Sequence, residues 1–121
     1  IKEFDIPYIC RRAVIHRLVI PSSLQLSGKK PWDISHIHDT LDMWRFGDYK
    51  HYTSLDLLSF CLGLPSSKQD ISGKDVGEVF WNQNDIDRIS KYCIQDVILT
   101  ARVYKRLKYE DDILDDQIIY R

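Results

Sequence analysis

The sequence predicts a mostly helical globular domain with one or two strands at most, and three observations predict it. Apolar residues make up 44% of the 121 residues and charged residues 29%, the balance of a chain that can build a core. Apolar positions recur at helical spacing in three separate stretches. Proline and glycine punctuate the intervals, and only "HIHDTL" at 36–41 starts with the alternation of a strand. The length fits one modest core.

The first element starts near Asp5. An acid at or near the N-cap, with Pro7 in the first turn, is a good helix start. Ile6, Ile9, Cys10, Ala13, Val14 and Leu18 then give one apolar stripe to about Leu18. "VIPSSLQLSGKKPW" breaks it as a loop, with room for a short strand. The segment His36–Leu41 is expected to be a strand that delivers Asp39 or Asp42 near an edge. Thr53 with Asp56 three residues on matches a capping box, followed by Leu55, Leu58 and Leu62, and Gly63 with Pro65 stops that helix. A short helix after Gly73 is expected to bury Val76, Val79 and Phe80. Asn84 or Asp85 then caps the longest element, Ile86 to about Lys108, whose Ile86, Ile89, Cys93, Val97, Thr100, Tyr104 and Leu107 are expected to form the core face. Residues 109–121 form an acidic extension, either a frayed continuation or a docking tail.

Seventeen Lys and Arg against eighteen Asp and Glu leave a formal charge of −1. Such a chain has no global pull on a polyanion, so nucleic-acid binding needs a local basic patch or bound cations. That balance counts against a coating protein, and it is compatible with an enzyme that handles one chain end. Cys10, Cys61 and Cys93 are odd in number, far apart and set among apolar neighbours, which points to free thiols in a reducing, cytoplasmic setting. No apolar run is long enough for a membrane span or a signal-peptide core.

Two acids and a tyrosine carry the chemistry. Tyr92 and Asp96 are four apart on the long helix, so phenol and carboxylate share one face. A carboxylate there can hold a hard divalent cation while the hydroxyl positions a water; by spacing alone, a packed tyrosine beside a solvent-facing aspartate accounts for the pair as well. Asp5 caps a helix or reaches a cation. His36 and His38, two apart, suggest zinc with His16, His51 or a cysteine, but no third ligand stands at a characteristic spacing. Asp39, Asp42 and Asp56 are spare acids with structural roles unless one lies near Asp96.

Taken in order, "IKEFD", "SLDLLSFCLGLPSSKQDISGKDVGEVF" and "YCIQD" resemble the tyrosine variant of the DEDD exonucleases, in the group related to the proofreading domain of family-B DNA polymerases. Phe4 and Asp5 match the second exonuclease motif, and Tyr92 and Asp96 match the third. The resemblance covers nearly everything to about Leu107. It implies an α/β, RNase H-like exonuclease fold, of which residues 1–108 hold mainly the helical C-terminal portion. The D-x-E motif on the first strand has no counterpart here, so two of the family's four metal carboxylates are expected upstream, and the chain by itself is expected to be inactive. The implied cofactor is Mg²⁺ or Mn²⁺ in a two-metal site held by Asp5 and Asp96, with Tyr92 orienting the attacking water. The implied partner is a single-stranded or frayed nucleic-acid 3' end, DNA ahead of RNA. Arg11, Arg12, Lys68 and Lys74 are candidate phosphate contacts, with ordinary solvated charges as the alternative. Phe4 and Ile6 are expected in the core, with a wedge or stack against a terminal base as the second reading for both. Lacking part of its sheet, the chain would expose an edge or an apolar helix face and self-associate. The rival reading is a non-catalytic helical interaction module that docks through Trp44–Tyr52 or the acidic tail.

Overall fold

A computed structural model describes residues 1–2, 4–65 and 70–120. It contains two compact units, Ile1–Phe46 and Gly47–Arg121. No helix among the described residues is long and apolar enough to cross a membrane.

In the first unit, α1 spans Asp5–Ile15, with Asp5 as its first helical residue and Phe4 at the cap position without a side-chain bond. The helix stops three residues short of the expected Leu18. Arg17 takes a left-handed φ of 57°, Leu18 N–H donates to the Ala13 carbonyl at 2.8 Å and Arg17 N–H to that of Val14 at 3.0 Å. This is a Schellman closure made without glycine. Of the predicted apolar stripe only Ile6 is buried, while Ile9, Val14 and Leu18 are more than half exposed. The loop that follows contains 3₁₀ turns at Ser22–Leu24 and Pro31–Ile34 and no strand.

The strand expected at His36–Leu41 is absent. Asp39 instead caps α2 (Thr40–Arg45), accepting from Leu41 N–H at 3.0 Å and Asp42 N–H at 3.4 Å. A carboxylate that satisfies two orphan amides fixes a helix start locally, whereas a strand needs a partner to pair with. Asp39 also accepts from the Ile1 ammonium at 2.7 Å and from Lys2 N–H at 3.3 Å. Burial alone would push its carboxyl up, but these bonds outweigh burial and hold it below the usual carboxylate range. Asp42 pairs with Lys2 at 3.3 Å and Arg45 at 3.4 Å.

In the second unit, α3 spans Leu55–Cys61 and is capped by Ser54, whose Oγ accepts from Leu57 N–H at 3.2 Å. The cap therefore lies one residue beyond the predicted Thr53. Gly63 (φ 66°) ends the helix as its sequence position suggested, with Leu64 N–H donating to the Ser59 carbonyl at 3.0 Å. A short α4, Val76–Glu78, runs into a wide π-type turn, Val79–Gln83. Val79 is buried, Val76 is half-buried and Phe80 is exposed, so one of the three predicted contacts is fully made. Asn84 adopts the left-handed conformation that closes this turn, and Asp85 caps α5 (Ile86–Leu107) by accepting from Arg88 N–H at 3.0 Å.

Helix α5 packs against α3 and the π-type turn. Its buried residues are Leu99, Arg102 and Val103. The core face predicted for α5 is therefore displaced around the helix: Ile86, Cys93, Val97 and Thr100 are exposed, and Ile89, Tyr104 and Leu107 only half-buried. The true inner stripe contains Tyr92, Asp96, Leu99 and Val103, at steps of four, three and four, and two of these are polar. A hydrophobic pattern scores the wrong stripe when the buried one carries polar groups. Leu58, Leu64, Ile71 and Val79 complete this core. Beyond Leu107 the tail folds back on α5, with Arg102 donating to the Ile113 carbonyl at 3.0 Å and to Asp115 at 2.6 Å.

The described residues are thus mostly helical and contain no strand. The α/β, RNase H-like arrangement implied by resemblance is not found among them.

Candidate functional site

On α5, successive residues at i and i+4 rise one above another on a face. Arg88, Tyr92 and Asp96 follow that spacing. Tyr92 and Asp96 are both half-buried. Burial of the ring, then the neighbouring Asp96 carboxylate, push the Tyr92 phenol above its ordinary range. Asp56, at the start of α3, is close enough to add a smaller push in the same direction. The phenol is accordingly neutral at physiological pH. It can donate to a carboxylate and accept from a water, which suits a group that orients a nucleophile without being one.

A turn walls this pair on one side. Ile71 is buried and fixes the turn in the core. Asp70 takes a two-point contact from the Arg88 guanidinium, with Nη2 to Oδ1 at 3.1 Å and Nε to Oδ2. The same guanidinium donates to the Gln83 side chain at 3.0 Å. Asp75 accepts from both the Ser72 amide (2.8 Å) and the Ser72 hydroxyl (2.7 Å), closing the turn on itself. The Arg88 contact holds the Asp70 carboxyl below its usual range, and the Ser72 bonds do the same for Asp75. The outcome is that the Gly73 backbone comes up against the Tyr92 hydroxyl: a Cβ at position 73 would stand 3.6 Å from that oxygen. Sequence reasoning quoted this turn and missed Arg88. The signal was present, since Arg88 stands four residues before Tyr92.

The remaining predicted residues are distributed as follows. Asp5 lies in the first unit, in the first turn of α1, and its carboxylate meets the Ile1 ammonium at 3.5 Å. Phe4 is 71% exposed and stacks on Tyr8 with ring centroids 5.9 Å apart and 13° between planes, so its core placement is corrected; Ile6, at 4%, is the core residue of that pair. Arg11 is exposed, and Arg12 is exposed beside His16 at 2.8 Å. Lys74 is exposed, next to Asp75, while Lys68 falls outside the described residues. His36 contacts the Ser23 carbonyl at 3.1 Å.

Carboxylate and phenol oxygens are the donors that Mg²⁺ and Mn²⁺ prefer. Among the described residues, however, no group of three or more His, Cys, Asp or Glu gathers closely enough to hold an ion. The residues present fit such an ion in kind and fall short of it in number.

Against known proteins, a family model described as a predicted 3'-5' exonuclease related to the exonuclease domain of PolB matches residues 1–120. The chain belongs to this family of exonuclease-related domains. No curated protein and no solved structure matches it.

Proposed function

We propose that the protein is a metal-dependent 3'-5' exonuclease in which Tyr92 and Asp96 belong to the catalytic centre. The observation that carries this reading is the juxtaposition of the half-buried Tyr92 and Asp96, one helical turn apart on α5, in a chain whose family is one of predicted 3'-5' exonucleases. Phosphodiester hydrolysis needs an aligned water and a means of neutralising the charge that develops on phosphorus and on the leaving oxygen. Bound Mg²⁺ or Mn²⁺ would supply that neutralisation and a more acidic water. Asp96 serves as one of its oxygen ligands. Tyr92, held neutral, orients the attacking water and gains nothing from ionising.

Resemblance alone adds Asp5 as a further metal carboxylate. With no group of three or more ligands gathered among the described residues, the chain by itself is expected to bind divalent ions weakly and to turn over negligibly. The substrate in this reading is a single-stranded or frayed 3' end, DNA ahead of RNA. Phe4 supplies an aromatic surface for a terminal base, while Arg11, Arg12, Lys68 and Lys74 meet phosphates. The exposed stack of Phe4 on Tyr8 supports the first of these roles.

Manganese titration followed by NMR tests the metal assignment directly. Paramagnetic broadening in the intact protein should begin at Asp96 and its helical neighbours, and Asp96→Ala should remove it. Broadening centred elsewhere and indifferent to that substitution would overturn the reading.

A further inference from the structure

Among the described residues, Gly73 is the one glycine whose added Cβ would come within 4 Å of another group, and that group is the Tyr92 hydroxyl. The approach is not an accident of a loose loop. Four bonds converge on Arg88: its amide is capped by Asp85, its guanidinium grips Asp70 at two points, and it reaches Gln83. Arginine's planar fork makes such a two-point grip directional, which a lysine cannot reproduce. Ile71, buried between Asp70 and Ser72, supplies an apolar anchor for the same turn. The turn therefore has two independent attachments, a polar one to α5 and an apolar one to the core of the unit.

We propose that Arg88 is a positioning residue and Gly73 the gap it maintains: the Arg88-anchored turn walls the Tyr92 hydroxyl, and the missing side chain at position 73 leaves that oxygen room for a water. This inference rests on the exonuclease reading above and extends it to residues that touch neither substrate nor metal. A methyl at 3.6 Å is an ordinary van der Waals contact, so the fold tolerates it, yet it occupies space in which a water bonded to the phenol could lie. Gly73 shows no left-handed φ, so alanine there is not strained by its backbone. Structural and functional consequences of the same substitution therefore separate.

The test uses the intact protein and a 3'-labelled single-stranded oligonucleotide with Mn²⁺. Gly73→Ala is expected to leave the melting temperature unchanged or raised while kcat falls about tenfold and KM stays put, as expected when a reacting group is misplaced. Arg88→Gln should lower kcat similarly and abolish the NMR cross-relaxation between the Tyr92 ring and the Gly73 α-protons, and Arg88→Lys should rescue neither. Retention of that cross-relaxation in Arg88→Gln overturns the anchoring. Its loss with wild-type kcat, or wild-type kcat in Gly73→Ala, overturns the positioning role and leaves the exonuclease reading standing. Activity that survives Asp96→Ala sinks the assignment of Asp96, and absence of any 3'-end release by the unsubstituted protein sinks the exonuclease reading itself; the Gly73 and Arg88 variants can produce neither result.

Discussion

Replacing Arg102 with methionine tests how the C-terminal segment is held to α5. The guanidinium is nearly buried, at 8% residue exposure, and donates to the Ile113 carbonyl at 3.0 Å and to Asp115 at 2.6 Å, with Asp112 at 3.8 Å from Nε. Each hydrogen bond involving a charged group contributes about 1.5–3 kcal/mol. Two effects reduce the sum. The Asp115 side chain is 92% exposed, so it rehydrates when its partner goes, and no carboxylate is stranded in the core. Nε is buried without a hydrogen-bond acceptor, and its removal recovers part of a desolvation cost of about 1–3 kcal/mol. Methionine keeps most of the apolar stem. The net loss works out near 1–2 kcal/mol, or roughly 4–16 °C in melting temperature for a unit of this size. Thermal unfolding measures the loss, and hydrogen exchange should show residues 109–118 deprotected well before α5. An unchanged melting temperature with unchanged protection of that segment would refute the reasoning.

Other outcomes follow from the same structure. Leu58→Ala, at a 3% exposed position on the helix that packs against α5, should cost about 2–5 kcal/mol in chemical denaturation; Leu57→Ala next door, 52% exposed, should cost well under about 1 kcal/mol. Tyr109 holds a left-handed φ of 58° while 98% exposed. Tyr109→Gly therefore relieves roughly 1–2 kcal/mol of backbone strain against about 0.4–1 kcal/mol of added chain entropy when unfolded; a small rise in melting temperature is expected, and a fall would contradict it. The pH dependence is fixed in sign. Asp70 and Asp75 have folded pKa values below the ordinary one, lowered by Arg88 and by Ser72, so their contribution is complete above about pH 4 and is lost as pH falls through the lowered values. The protection factor of the Ser72 amide should accordingly hold from neutral pH down to the ordinary carboxylate range and fall only below it; loss of protection between neutrality and that range would contradict the assignment.

How much of this was legible in the sequence depends on which signal each feature uses. The C-terminal end of α3 and the start of α5 were readable because Gly63, Pro65 and Asp85 are residues whose chemistry does one thing well at those positions. The end of α1 was not. It closes through Arg17 in a conformation usually left to glycine, and no side chain announces that. The same closure at Tyr109 happened to fall where the apolar pattern ran out. The segment His36–Leu41 looked like a strand because alternation over a few residues is weak evidence, and the capping carboxylate of Asp39 decided it.

The largest error was the face of α5. Counting apolar residues selected Ile86, Cys93 and Val97, which are exposed, over a stripe that includes Tyr92, Asp96 and Arg102. A helix that buries ionisable groups hides its inner face from any hydropathy pattern. The Tyr92–Asp96 pair itself was legible as a spacing. Its wall was not, because the grip of Arg88 on Asp70 joins residues eighteen apart in sequence.

The central claim is that Asp96 takes part in cutting phosphodiester bonds, and the rate of mononucleotide release from a labelled 3' end tests it most directly. In the intact protein with Mn²⁺, Asp96→Asn should reduce that rate about a thousandfold or more while the melting temperature holds near that of the unsubstituted protein. Release that continues at the original rate in a folded Asp96→Asn protein would contradict the account.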